Sequence, residues 1–520
     1  MYRLRSTKDF IKDGLMLTVT ALLLRSAGVY FSARLSIIAG AAVMGLYTQI
    51  MTVYSFAVTA ASAGINLGAM RLTSECHGSG DVEGIRKGVG VCVRYCLSAG
   101  IVVGTVTFLF APFLGGVILN ENDSIISLRA LSFALPFIAL SNALHGFFNG
   151  IKQIPKSAFT SLFEQFFRIS ATIIALQTFA GASREMLCLI LVICNASSEA
   201  ASCLILSVFY YFERKKYPLS KSGLNNLKKR FIGITVPIAV SSLIRSALTT
   251  TEHILIPIGL RVSGLSGENA LAEYGIMSGM VLPVLLYPMA LLSSFASITI
   301  AEISSRVSAG EGRETLRRTV AKGIRFALIY GIGCTAIIGF FSEKLGLSIY
   351  KSTEAGYFIR IMAPLIIFMY LDHIADGMLK GLDKQNYVMR VNIIDAALSV
   401  IFAALLIPKL GIYGFAASLY LCEIMNCCFS FGKLFIIMKP DIGIMKAFIL
   451  PCASAVISTH VFAYIENGAP LIPSMITSTV IYLILLKICG SLNVFTESFD
   501  KAHTPNKAST RLKTETTSRL

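Results

Sequence analysis

Tryptophan is absent from the 520 residues, and charge is scarce. Asp, Glu, Lys and Arg make up 14% of the chain, against about a quarter in soluble proteins. That deficit excludes a soluble globular protein, because 55% of the residues are hydrophobic and apolar runs of bilayer length recur from end to end. Without tryptophan, the interfacial belt rests on tyrosine and phenylalanine. The sequence also lacks a nucleotide motif, a nucleophile signature and any metal-ligand spacing. No outer connection exceeds ~15 residues, which leaves little room for an external active-site loop. An enzyme is therefore not expected, nor a cofactor or a metal. Twelve cysteines are scattered, many inside apolar runs, among them Cys92, Cys96, Cys188, Cys194 and Cys203. They read as small core residues.

What is present is an all-α polytopic pattern of about 14 transmembrane helices. The runs cover roughly 10–38, 43–70, 88–114, 125–149, 155–180, 186–212, 231–257, 272–301, 320–342, 355–379, 388–408, 411–433, 444–465 and 470–490. We number them spans one to fourteen. The basic start MYRLRSTKDF leads into a full-length span with no small-residue cleavage site, and reads as a retained first helix. Acidic residues number 29 against 46 Lys and Arg, a net charge of +17. The excess sits at the N-terminus (Arg3, Arg5, Lys8, Lys12) and in even-numbered connections, such as Arg214, Lys215 and Lys216. Odd-numbered connections hold only Arg184, Arg261, Lys344, Lys351 and Lys409, with Arg129 and Arg360 just inside the adjoining span ends. This asymmetry places both termini in the cytoplasm and explains the basic balance without nucleic acid.

The chain divides into an N-lobe, 1–212 (spans one to six), and a C-lobe, 231–440 (spans seven to twelve). A basic cytoplasmic linker, 213–230, joins them. Spans thirteen and fourteen, within 441–492, are appended. The tail, 493–520, is polar, has no apolar stripe and is expected to be disordered. Internal repetition supports two pseudo-symmetric six-helix lobes around a central cavity. Gly80-Asp81 before Arg86 answers Gly310-Glu311 before Arg317. Gly146 and Gly150, read as a turn after span four, answer Gly377 and Gly381. The offset is 231 residues at these glycines and at the Arg86/Arg317 pair, and it also aligns Glu164 with Asp395.

Arginine inside a span is the sharpest functional signal. Arg25-Ser26-Ala27 in span one returns as Arg245-Ser246-Ala247 in span seven. A charge at mid-bilayer costs at least ~2.5–3.5 kcal/mol, so each must face protein or a wet cavity. A guanidinium stays ionised and offers a planar fork to phosphate oxygens. The functional reading is a pair of substrate-binding cations. The blander one pairs each with a buried carboxylate or backbone carbonyls, with Glu252 the candidate counter-ion of Arg245. Arg34, near the outer end of span one, is a third candidate that is also able to snorkel. Glu252 and His253 in span seven are candidates for ion or proton coupling. Glu164 and Asp395 are secondary intramembrane carboxylates, alongside Glu199 and Glu423. Packing between helices, with Arg168 as partner of Glu164, accounts for them equally well.

The run ASAGINLGAMRLTSE at 61–75, with GLYTQ at 45–49, resembles the span-two signature of the stage V sporulation protein B family. FIKDGLMLTVTALLLRSAG in span one resembles it too. In the second half, TEHILIPIGLRVSG at 251–264 and EYGIMSGMVLPVLLYPMALLSSFASITIAEISS at 273–305 are similar to that family. The resemblance covers residues 9–490. It implies the multidrug/oligosaccharidyl-lipid/polysaccharide exporter superfamily and alternating access between two lobes. It also implies movement of an undecaprenyl-pyrophosphate-linked saccharide, a peptidoglycan or spore-cortex precursor. By that resemblance Arg25 and Arg245 match cavity arginines that bear on the pyrophosphate, and Arg34 fits less closely. One departure stands out: Asn66 occupies a place where the family often has proline, so no proline bends span two.

The expected function is a membrane flippase for an anionic lipid-linked saccharide, with membrane lipids and a coupling H+ or Na+ as further partners. A drug/cation antiporter of the same superfamily is the same-fold alternative. It calls for a cavity carboxylate where span one offers Arg25. A membrane-embedded glycan transferase and a sporulation scaffold are the alternatives from other classes.

Overall fold

A computed structural model describes residues 7–78, 81–151, 153–179, 181–217, 224–308, 312–465 and 470–491. Arg3, Arg5, Gly80, Lys152, Lys221, the Gly310-Glu311 pair, part of the linker and the tail 493–520 lie outside the described residues. Among those described, all regular structure is helical and there is no strand.

Among the described residues nine helices are long and apolar enough to cross a membrane, or eleven if each of two bent helix pairs is one span. The first of the nine, Leu22–Cys76, has 55 residues. At 1.5 Å per residue it is ~80 Å long, more than two hydrocarbon thicknesses. It changes course at Gly40 (φ 82°, ψ 168°), an extended ψ that only glycine tolerates at positive φ. A second bend falls at Gly64 (φ 72°), where the helix Thr7–Ser62 gives way to Ile65–Gly78. This stretch therefore holds spans one and two, and span two bends at Gly64, two residues before Asn66. Every apolar run read from the sequence coincides with helix. Helix length and apolarity do not by themselves establish the count of fourteen.

The helices fall into two compact units. One comprises Met1–Ser294, Gly346–Ile359 and Asn386–Asn426; the other comprises Phe295–Leu345, Arg360–Gln385 and Cys427–Leu520. The first packs Ala61, Ile65, Ala69 and Leu72 of span two against Cys92, Cys96, Ala139, Ala143 and Phe231. In the second, Tyr482 of span fourteen lies against Ile329 and Ile332 of span nine. Its hydroxyl donates to the Ile329 carbonyl at 2.8 Å. Gly333 makes room for that ring: a Cβ there would lie 2.6 Å from it.

The 231-residue repeat survives at the level of single hydrogen bonds. The Glu121 N–H donates to the Gly115 carbonyl at 2.9 Å, and the Ser352 N–H to the Gly346 carbonyl at 3.2 Å. Between them Asn120 (φ 53°) and Lys351 (φ 57°) take the same left-handed backbone. Farther on, the Ile151 N–H donates to Phe147 and the Leu382 N–H to Met378, at 3.0 and 2.9 Å. The repeated glycines are not a turn, as the sequence reading had it. They lie inside the helices Leu135–Gly150 and Leu365–Gly381. Their missing side chains admit the neighbouring span. A Cβ on Gly146 would stand 2.4 Å from the Asn66 carbonyl oxygen, and one on Gly381 would stand 3.2 Å from that of Ile300.

Candidate functional site

Span eight is not one helix. It runs Gly267–Gly275, Ile276–Val281 and Leu282–Leu286, then breaks at Tyr287-Pro288 before resuming as Met289–Ser308. Proline has no N–H to give and its ring crowds the preceding turn. Arg25, half-buried in span one, donates from Nη1 to the Leu286 carbonyl at this break. Its neighbour Ser26 meets the Tyr287 hydroxyl at 3.1 Å. The second Arg-Ser pair is built the same way. Ser246 Oγ donates to Thr59 Oγ1 of span two at 3.3 Å. Each arginine is thus followed by a serine whose hydroxyl meets a hydroxyl of a span from the other half of the repeat.

Arg245 is exposed. Among the described residues no carboxylate forms an ion pair with Arg25, Arg34 or Arg245. Arg34 is half-buried, and its buried Nε has no hydrogen-bond partner among the described residues. It follows Arg25 by nine residues, or two and a half turns, so the two leave an ideal helix on opposite sides.

Glu252 and His253 also diverge. Glu252 faces Ser399 and lies in electrostatic range of Asp395, both in span eleven. That carboxylate is therefore engaged away from Arg245. His253 turns to span eight, where its Nδ1 lies 3.0 Å from the buried Tyr274 hydroxyl. Residues adjacent in sequence are about 100° apart on a helix, and these two reach different neighbours. Glu164 stands near Glu199, with Arg168 in electrostatic range of both. Arg168 spends its hydrogen bonds on Asn195 (3.1 Å) and Gln165. Each of the two aligned carboxylates, Glu164 and Asp395, thus has a second carboxylate near it.

Sequence reasoning passed over Tyr287, the Leu286 carbonyl and the buried Asp372. It took Asp376 only as part of a turn, whereas its carboxylate is buried and accepts from Ser430 Oγ at 2.9 Å. The signal was available: two aspartates at i and i+4 in a largely apolar helix. No group of three or more metal-ligating side chains forms among the described residues.

Comparison with known proteins places these features in a family. The chain is similar to stage V sporulation protein B of Bacillus subtilis (strain 168), 24% identical over 92% of this chain and 95% of that one. It is 20% identical to lipid II flippase MurJ of the same organism, over 76% and 77% of the two chains. Its fold resembles that of lipid II flippase MurJ in an inward closed conformation, with TM-score 0.67, 12% identity and coverage of 92% and 99%. It also resembles an inward-facing multidrug resistance MATE family transporter of the MOP superfamily (TM-score 0.61, 14% identity, coverage of 81% and 95%). These likenesses agree with the resemblance seen in spans one, two, seven and eight, and with a multi-pass membrane transporter fold. The MatE family model matches residues 231–405. The polysaccharide biosynthesis protein model matches residues 10–295, more than half of the chain, and the chain belongs to that family.

Proposed function

We propose that this protein is a flippase for an undecaprenyl-pyrophosphate-linked saccharide, a peptidoglycan or spore-cortex precursor. The observation that carries the reading is the pair Arg25 and Arg245. Both lie within apolar spans, and neither has a carboxylate partner among the described residues. A cation is retained at such cost where it has a task, and a guanidinium suits a pyrophosphate. Between Asp13 and Glu75 the chain has no acidic residue, which disfavours a drug/cation antiporter built on a span-one carboxylate. The named flippase and sporulation relatives support the same reading.

In this account the headgroup enters a cavity between lobes 1–212 and 231–440 from the cytoplasm, where both termini lie. Arg25 and Arg245 replace hydration lost by the phosphates. Arg34, on the other side of span one, serves at most a later stage of the passage. The lipid chain stays in the bilayer, and rocking of the lobes exposes the headgroup outward. Glu252 with Asp395, rather than Glu252 with His253, is the pair suited to a coupling H+ or Na+. Movement of one charge through the field is worth ~2.3 kcal/mol per 100 mV. Glu164 and Glu199 form a second carboxylate pair. The test is reconstitution in liposomes with a fluorescent undecaprenyl-pyrophosphate saccharide, read by dithionite accessibility. Protein-dependent exposure of the inner-leaflet label is expected, and its absence from folded protein refutes the proposal.

A further inference from the structure

The break in span eight has its own hydrogen-bond arithmetic. In an unbroken helix the N–H of residue 290 would bond the carbonyl of residue 286. Around Pro288 the bonds shorten instead. The Tyr287 N–H goes to Val284 (3.3 Å), the Ala290 N–H to Tyr287 (3.3 Å) and the Leu291 N–H to Pro288 (3.2 Å). Ala290 is thereby diverted, and the Leu286 carbonyl loses its helical donor. A carbonyl without a partner inside an apolar segment is costly. Arg25 Nη1 fills that role.

We infer that Pro288 is a positioning residue for Arg25. By freeing the Leu286 carbonyl it anchors one corner of the guanidinium and presents the rest to a phosphate group of the lipid-linked substrate. The fork is planar, so fixing one nitrogen leaves mainly rotation about that bond. The Ser26–Tyr287 hydroxyl contact, at 3.1 Å, ties the two backbones together at the same junction. There is room beside it: a Cβ on Gly28, the next turn of span one, meets nothing within 4 Å. Among the described residues the remaining N–H groups of Arg25 have no partner, and a diphosphate has oxygens enough to take them in pairs. The inference rests on the reading of Arg25 as a phosphate-binding cation, and it adds selectivity for pyrophosphate over monophosphate as the property that the break supplies.

Pro288→Ala should close the helix and return the Leu286 carbonyl to the N–H of residue 290. Adding Ala290→Pro removes that N–H and frees the carbonyl again. The experiment measures binding of undecaprenyl pyrophosphate and undecaprenyl phosphate to the full-length protein in nanodiscs, with thermal unfolding alongside. Arg25→Ala should weaken pyrophosphate binding by one to two orders of magnitude, on the order of what loss of charged hydrogen bonds costs. Pro288→Ala should lose about tenfold and its preference over the monophosphate. The double variant should regain most of both. Pro288→Ser, which also restores an N–H, repeats the test if the alanine variant is not recovered. Retained selectivity in the Pro288 variants, with binding lost in Arg25→Ala, overturns the positioning role and leaves the arginine site standing. Full affinity in Arg25→Ala overturns the site itself. Equal weakness in the single and double variants, or a change confined to unfolding temperature, marks Pro288 as structural only and refutes the inference.

Discussion

Replacing Glu121 by alanine should be among the most destabilising single changes outside the helix cores. Glu121 is 8% exposed and lies between two arginines. Arg184 Nη2 reaches its Oε2 at 2.9 Å, and Arg261 Nη2 reaches its Oε1. Arg261 also donates to the Asn120 carbonyl at 3.3 Å. The network ties the connection after span three to the start of span six and the end of span seven. Removing one partner of a buried ion pair costs about 3–5 kcal/mol, because the other charge stays desolvated. Asp123, which shares Arg184 at 2.7 Å, offsets part of that loss on the Arg184 side. Arg261 has no second carboxylate among the described residues and bears the greater part. Arg261 closes the helix Leu224–Val262, whose other end supplies an internal control. Arg230 meets Glu75 at 2.5 Å, but the side chains are 58% and 31% exposed. The two arginines are ~46 Å apart along the helix, so both lie beyond the hydrocarbon core. Water and salt screen the exposed pair. Unfolding equilibria in bicelles for Glu121→Ala, Arg261→Ala and their double variant should give a coupling of at least ~1 kcal/mol. Glu75→Ala should leave stability within error. Equal losses at Glu75 and Glu121, or additive single effects at Glu121 and Arg261, would refute the reasoning.

Three further outcomes follow from the packing, the charge asymmetry and the carboxylates. Gly146→Ala should destabilise by about 1–3 kcal/mol through overpacking against the Asn66 carbonyl, whereas Gly377→Ala, whose Cβ meets a flexible Ile300 methyl at 3.3 Å, should be close to neutral; thermal unfolding of both variants checks this, and equal losses contradict it. On a cysteine-free background, cysteines near Asn122 and Asn467 should be labelled from outside the cell and one near Lys221 should not. Labelling at Lys221 in intact cells reverses the orientation. Glu252→Gln should abolish any dependence of flipping on an imposed ion gradient while leaving binding of the pyrophosphate lipid unchanged, whereas His253→Ala should leave the gradient dependence in place; the opposite pattern returns the coupling role to His253.

Periodicity and composition made the helical class, the membrane setting and the 231-residue repeat legible, because each is written in residue types at fixed spacing. The Gly115/Gly346 and Asn120/Lys351 correspondences extend that repeat to backbone torsions. Other features were hidden for physical reasons. The partner of Arg25 is a backbone carbonyl 261 residues away, and no side chain marks it. It becomes visible only once Pro288 has broken the helix. Glu121 and Arg261 are 140 residues apart, and each alone reads as an ordinary boundary charge. Glu252 and His253 looked like one unit because they are adjacent, yet a helix directs neighbours to different faces. The glycines at 146 and 150 carried a turn-like composition, but they serve close helix approach to span two.

In the proposed mechanism Arg25 and Arg245 act on the phosphates of a lipid-linked saccharide. The most direct measurement is the liposome flipping rate of Arg25→Ala and Arg245→Ala, each with its Arg→Lys counterpart, at matched amounts of folded protein. Both alanine variants should insert normally, since removing the charge relieves insertion cost, and both should flip the labelled lipid far more slowly than wild type. Lysine should restore only part of the rate, because an ammonium offers a point charge and no bidentate fork. Folded, abundant alanine variants that flip the lipid at the wild-type rate would contradict the claim.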